Sequence, residues 1–298
     1  MLRPPPSLNA SEIAHFARLS AQWWNPTGEL GMLHRMNPLR VSYVREKLVQ
    51  AARDDGDEHA ADVMVDSARP FRGMDMLDAG CGGGLLSESL ARLGARTLGV
   101  DLAKENIAIA QTHASRDPGF AGFDLLSYEH TSIESLLERG RAFDLVCLME
   151  VIEHVDNPAQ FLKTCASLVK ARVYSMHWPS CTKYEPVSQP GGHLFLSTLP
   201  RNALSYFLTI FMAERVLGLV SPGTHTHSKY INSSELVDFF RADLGWISAL
   251  YDGHPPRTEA ESRGMAYMPL TGEWTFMPRW APASSYTNYM FWARRPRQ

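Results

Sequence analysis

The segment Asp78-Ala79-Gly80-Cys81-Gly82-Gly83-Gly84 follows directly on a short apolar run, Met74 to Leu77. A glycine-rich turn between a strand and a helix lets a ligand come close to the backbone. The dinucleotide fingerprint G-x-G-x-x-G would need a third glycine at position 85, where Leu85 stands. Asp101 closes a second apolar run, about 20 residues beyond the loop. A carboxylate at that spacing accepts both hydroxyl hydrogens of a ribose. Loop and acid together point to a nucleotide-type ligand. The competing structural account is a tight turn followed by a helix capped by Asp101.

A second reactive group is Met149-Glu150-Val151-Ile152-Glu153-His154, after the run Phe143 to Leu148. In open α/β sheets ligands lie beyond the strand carboxyl ends. If these residues begin a helical turn, Glu150, Glu153 and His154 share a face at i, i+3 and i+4. Two carboxylates and an imidazole suit a divalent cation, with magnesium or manganese favoured by the oxygen donors. The same side chains could hold a substrate by hydrogen bonds alone. His34, His59, His113, His130 and His177 have no partner at ligand spacing, and His225 and His227 read as loop residues.

These groups need elements to position them. Helices are expected at Ser11–Ser20, Pro38–Val49, Leu85–Leu93, Lys104–Ser115, Pro158–Val169 and Ser234–Arg241, the last capped by Asn232 or Ser233. Residues 53–69 read as a loop or loose helix. Strands are expected at Met74–Leu77, Arg96–Val100, Leu126–His130, Phe143–Leu148, His193–Thr198, Trp246–Tyr251 and Tyr289–Ala293. The alternation implies right-handed crossovers and a mostly parallel sheet with helices on both faces. Residues 1–70 read as an N-terminal helical cap contributing to the cofactor site, and 71–298 as the main α/β domain.

Composition excludes several classes. The 298 residues are 45% hydrophobic and 20% charged, an ordinary globular balance. Lysine and arginine number 29 against 32 acids, for a net charge of −3, so no field of one sign invites nucleic acid. Cys81, Cys147, Cys165 and Cys181 form no CxxC pair, which argues against structural zinc and a disulfide framework. No apolar run reaches the ~18 residues needed to span a bilayer. The N-terminus shows neither a secretory h-region nor an evident targeting peptide.

The pattern D-x-G-x-G-G-G resembles the S-adenosylmethionine motif of Rossmann-like class I methyltransferases, whose fold is a seven-stranded, mostly parallel sheet. More specifically, the chain resembles the ubiquinone-biosynthesis O-methyltransferases of mitochondria and proteobacteria. The resemblance rests on Trp23-Trp24, on His34-Arg35-Met36-Asn37-Pro38-Leu39-Arg40 and on Leu77 to Gly84. It also rests on Met149 to Val155, on Ser197-Thr198-Leu199-Pro200-Arg201-Asn202 and, more weakly, on Gly223-Thr224-His225. It implies methyl transfer from S-adenosylmethionine to a phenolic hydroxyl of a polyprenylated catechol or quinol. It implies cofactor contacts from Arg40, Gly80, Asp101 and Met149, and Mg2+ held by Glu150, Glu153 and His154. Without a metal, His154 is the base. It further implies peripheral attachment to a membrane surface, either the matrix side of the mitochondrial inner membrane or the bacterial cytoplasmic membrane, and a place in a multi-enzyme ubiquinone-biosynthesis complex. The rivals are a methyltransferase acting on another small molecule or on RNA, a non-catalytic scaffold, and an NAD-dependent oxidoreductase. Leu85 argues against the last.

Two segments stand apart. Ala171 to Gln189 separates Leu168-Val169-Lys170 from Pro190-Gly191-Gly192, which run together in the family. It is expected outside the sheet, with no chemistry. Within 199–229, Leu204 to Val220 is rich in apolar and aromatic residues and is the expected membrane or substrate segment.

Overall fold

A computed structural model describes residues 10–120, 124–171, 173–174, 188–189, 191–206, 227–278 and 287–296. The parallel half of the sheet comes from β1 (Asp75–Ala79), β2 (Arg96–Asp101), β3 (Leu126–His130), β4 (Leu145–Met149) and β7 (His193–Thr198). The antiparallel half comes from β8 (Ala260–Met268), β9 (Glu273–Phe276) and β10 (Tyr289–Arg294). The order is β3-β2-β1-β4-β7-β10-β8-β9. The links β1–β2, β2–β3, β1–β4 and β4–β7 are parallel, and the remaining links are antiparallel. The five parallel strands therefore deliver their carboxyl ends to one rim, with β3 at the sheet's edge and β1, β2, β4 and β7 inside it. Their centres are fully buried runs such as Leu145–Met149 and Phe195–Leu196, as two-sided burial in a parallel sheet requires.

Among the described residues the sheet has eight strands, not seven, and its late portion differs from the sequence reading. Trp246–Tyr251 is not a strand. Trp246 and Ile247 are apolar because they fill the core beside Phe240, and the Trp246 N–H donates to the Phe240 carbonyl at 2.8 Å. The missed strands β8 and β9 were hidden by charges. Glu261 and Arg263 interrupt the apolar pattern of β8, but each pairs with the helix above, Glu261 with Lys47 and Arg263 with Glu46 at 2.8 Å.

That helix is α2 (Gly31–Asp54), longer than expected because it runs through Pro38. An internal proline costs a helix ~3 kcal/mol. Here Met36, Arg40, Tyr43, Val44, Lys47, Leu48 and Ala51 bury one continuous face, which outweighs that cost. Lys47 lies over the Trp292 ring at 4.7 Å, and the Tyr43 hydroxyl donates to the Glu261 carbonyl at 3.3 Å. α2 is thus locked to the antiparallel half, and Arg40 is fixed two turns before that lock.

The other helices are α1 (Ala10–Leu19), α3 (Glu58–Asp66), α4 (Leu85–Arg92), α5 (Lys104–Ser115), α6 (Ile133–Glu138), α7 (Pro158–Leu168), α8 (Ala203–Tyr206) and α9 (Ser233–Ala242). Asp57 accepts from the Ala60 N–H at 2.9 Å and caps α3, so of the two readings for 53–69, loop or loose helix, the second holds over Glu58–Asp66. Asn232 and Glu235 form a capping box at the start of α9. α6 was not anticipated. The described ends of the insert, β5 (Val173–Tyr174) and β6 (Ser188–Gln189), pair with each other and not with the main sheet. At its base Gly192 N–H donates to the Lys170 carbonyl at 2.8 Å, so the chain leaves and returns at one point. Of the expected membrane segment, only Leu204–Tyr206 falls within the described residues.

Candidate active site

The glycine loop is built by backbone conformation. Gly80, Gly82 and Gly84 have φ of +76°, +53° and +87°, where an L side chain is strained. The N–H groups of Gly80 and Cys81 both donate to the Val100 carbonyl, at 2.8 and 3.0 Å, tying the loop to β2. A methyl group at Gly80 would meet Val151 Cγ2 at 2.6 Å. The loop thus brings bare backbone to the rim and leads into α4, as a close-approaching ligand requires.

Asp101 ends β2 beside this loop. Its Oδ2 accepts from the Gly82 N–H at 2.9 Å and its Oδ1 from the Ala103 N–H at 2.7 Å. Burial raises its carboxyl pKa, against the pull of those hydrogen bonds. Asp78, at the rim end of β1, is buried and takes a 2.6 Å hydrogen bond from Ser87, and burial lifts its pKa to about 6.

Arg40 enters from α2, only 4% exposed. Its Nε and Nη2 have no hydrogen-bond partner among the described residues. The nearest acid is Glu150, whose Oε1 lies 3.6 Å from Nη2 and is itself without a hydrogen bond among those residues. Burial pulls the guanidinium pKa down, while Glu150, Asp78 and Glu153 pull it up. A buried fork with unused donors, beside a glycine loop, fits the carboxylate of an amino-acid ligand. Met149 closes β4 on the same rim, paired with Ser197 of β7.

The acidic cluster is not the helical turn expected from its spacing. Glu150 sits at φ +56°, its N–H donating to the Ser197 carbonyl at 3.0 Å, and only Ile152–His154 winds as a 3-10 turn. The left-handed residue breaks the i, i+3, i+4 face. Glu150 turns to Arg40, and Glu153 accepts from the Thr198 hydroxyl at 2.9 Å. His154 is buried and meets the edge of Phe16, ring centroids 4.9 Å apart. Among the described residues no three His, Cys, Asp or Glu side chains gather as a metal-holding group. The electrostatics are still those of a site short of positive charge. Burial and then the charge of Glu150 push the Glu153 carboxyl up to about 7, and Glu150 Oε1 is an orphaned buried acceptor. That donor chemistry fits a hard cation; the side-chain placement is not a closed ligand set.

Sequence reasoning left three participants without a role at the site: Thr198, Asn106 and Trp23. Thr198 and Trp23 lay inside the resemblance blocks, whereas Asn106 carried no signal of its own.

A family model described as a methyltransferase domain matches residues 77–174. The chain is 36% identical over 291 residues to a ubiquinone biosynthesis O-methyltransferase of Methylobacterium sp. (strain 4-46), covering 98% of this chain and 97% of that one. It is 35% identical over 294 residues to the protein of the same name from Ruegeria pomeroyi, covering 98% of each. Among solved structures, a magnesium protoporphyrin IX methyltransferase from Synechocystis PCC 6803 with bound SAH superposes with a TM-score of 0.46 at 19% identity. That match covers 85% of this chain and 87% of the other.

Proposed function

The chain belongs to the ubiquinone biosynthesis O-methyltransferase family, and from that premise we propose which of its residues carry the transfer and where it takes place. The acceptor is a phenolic hydroxyl of a polyprenylated catechol or quinol. S-adenosylmethionine, when bound, supplies a methyl group already activated by its sulfonium, so the protein's task is in-line positioning. Asp101 takes the ribose hydroxyls, the Gly80–Gly84 backbone receives the ligand closely, and Arg40 forks onto the methionine carboxylate. Met149 lines the same groove. The observation that carries this reading is the buried Arg40 fork with two unused donor atoms beside the glycine loop.

The acceptor lies over the Glu150–His154 turn. A phenol has a pKa near ~10 and needs help to lose its proton at pH 7. Glu150, Glu153 and His154 would hold Mg2+, which would lower the phenol pKa and orient the oxygen. The orphaned Glu150 oxygen and the raised Glu153 carboxyl support this. A second reading has His154 take the proton directly, and the absence of a gathered ligand set among the described residues favours it. Incubation with methyl-labelled S-adenosylmethionine and a prenylated catechol, with and without chelator, decides. Loss of transfer on chelation, restored by Mg2+, supports the metal; transfer that survives supports His154.

The reaction is placed at a membrane surface. Extracting a prenyl chain from lipid costs ~0.8 kcal/mol per CH₂, which docking avoids. Leu204 and Tyr206 of α8, just after β7 at the site's rim, are exposed, and no described helix is long and apolar enough to cross a membrane. Attachment is peripheral, through 199–229, to the mitochondrial inner membrane in a eukaryote or the cytoplasmic membrane in a bacterium. Such a surface also suits assembly with the enzymes that precede and follow this step. Residues 1–70 serve the 71–298 unit as a cap that carries Arg40 to the site.

A further inference from the structure

Between α1 and α2 the chain crosses the glycine loop as a strap, and its two tryptophans make the crossing. The Trp23 side chain lies directly against Gly82 and Gly83, so that a methyl group added to either glycine would run into it. Its Nε1 donates to Asn106 Oδ1 at 3.0 Å, and the Asn106 side chain acts on the Asp101 carboxylate, working against the burial that raises its pKa. Trp24 is pinned separately. Its Nε1 donates to the Gly83 carbonyl at 3.0 Å, and its ring stacks on His113, centroids 3.3 Å apart and planes within 2°. His113 in turn donates to the buried Glu88 at 2.7 Å. On the α2 side, the His34 ring N–H donates to the Trp23 carbonyl at 2.6 Å.

We propose that Trp23 is a cofactor-contacting residue and that the strap from Ser20 to Leu30 is the door of the cofactor site. The inference rests on the assignment of the cofactor to the glycine loop. The surfaces a nucleoside must reach are the backbone at Gly82 and the carboxylate of Asp101. The first is covered by the Trp23 ring with no room for even a methyl group. The second is tied to the same ring through Asn106. A ligand therefore reaches them only when the strap lifts, and leaves only when it lifts again. Ribose hydroxyls arriving at Asp101 compete with the Asn106 amide, which loosens the hydrogen bond to the Trp23 indole. Asn106 is thus the link by which an occupied ribose site changes the position of the door. Loop openings of this kind run on nanosecond to millisecond timescales and gate ligand exchange without changing the chemistry behind them.

The test is the exchange rate of labelled S-adenosylmethionine, followed by rapid mixing in both directions on the full chain. Trp23→Ala removes the door's contact with the loop. His113→Ala releases Trp24 from α5 and leaves every group facing the loop in place. Both variants are expected to speed association and dissociation together, by about tenfold for Trp23→Ala, equivalent to ~1.4 kcal/mol of lost holding energy. His113→Ala should fall between that and wild type. Trp23→Phe, which keeps a ring but loses the bond to Asn106, should also fall between, and these two variants carry the test if Trp23→Ala does not fold. Rates within about twofold of wild type in all three overturn the proposal, and so does faster dissociation with unchanged association, which describes a lost contact and no door. Asp101→Ala is the separate control: unchanged cofactor affinity there overturns the loop assignment itself, whatever Trp23 does.

Discussion

Replacing Arg40 by methionine removes the fork and keeps the length and apolar stem of the side chain. The residue is buried on α2, and two of its donor atoms have no hydrogen-bond partner among the described residues. If they meet the methionine carboxylate, two charge-assisted hydrogen bonds are lost. At ~1.5 kcal/mol each, the low end for bonds to charged groups, the loss is about 3 kcal/mol, or a Kd raised roughly 100- to 200-fold. Arg40→Lys keeps the charge but not the fork and should lose about half of that, a roughly tenfold rise. The two variants separate charge from geometry. Calorimetric titration with S-adenosylmethionine reads the affinity, and thermal unfolding without ligand reads the stability. Removing the cation leaves Glu150 uncompensated beside Asp78 and Glu153, so the ligand-free melting temperature should fall as well, and affinities are compared where every variant is folded. A Kd for Arg40→Met within about threefold of wild type would refute the reasoning, because the fork would then face something other than the ligand.

The remaining predictions concern the acceptor side, the fold and the two outlying segments. His154→Ala should abolish most methyl transfer while leaving the calorimetric affinity for S-adenosylmethionine nearly intact; parallel losses in both would mean the residue supports the cofactor groove. His193 is buried under Trp292, whose Nε1 donates to its Nδ1 at 3.1 Å, and burial, aided by Arg294, holds its pKa at about 3 against 6.5 when unfolded. The unfolded chain takes up a proton below pH 6.5 that the folded chain refuses, so this stability is whole above pH 6.5 and is lost toward pH 3 at ~1.4 kcal/mol per pH unit. Denaturant melts between pH 4 and 7 should show that slope flatten in His193→Gln, which retains an acceptor. Deleting Ala171 to Gln189 should leave folding and transfer unchanged, since Lys170 and Gly192 already meet at its base; an insoluble or inactive deletion would make the insert a structural element. Phe207→Ser with Phe211→Ser should weaken flotation with anionic vesicles, and unchanged binding would remove this segment as the anchor.

What was legible in the sequence followed from where burial is uniform. The inner parallel strands are two-sided and apolar, and the loop after β1 carries glycines that a close ligand approach needs, so β1, β2, β4 and the Gly80–Gly84 loop could be read directly. The antiparallel edge could not, because Glu261 and Arg263 are strand residues whose charges are answered by Lys47 and Glu46 from a helix more than 200 positions away. The same distance hid the lock on α2. Trp246 misled in the opposite sense, since core burial without strand pairing gives the same apolar run. At the site, Asp101 and Arg40 were visible as motif positions. The turn at Glu150 was not, because nothing in a glutamate's type announces a left-handed φ, which here is set by its N–H reaching Ser197. Asn106 was invisible for a related reason: its part is to join two residues that are distant in sequence, Trp23 and Asp101.

The account's central claim is that this rim transfers a methyl group from S-adenosylmethionine to a phenolic oxygen of a lipid-borne catechol. The direct measurement is product identification by mass spectrometry after incubation of the protein with methyl-labelled S-adenosylmethionine and a polyprenylated catechol in anionic vesicles. The account predicts one label per acceptor, on oxygen, with no product from Asp101→Ala at matched concentration. Label on carbon or nitrogen, no label at all, or an undiminished yield from Asp101→Ala would contradict it.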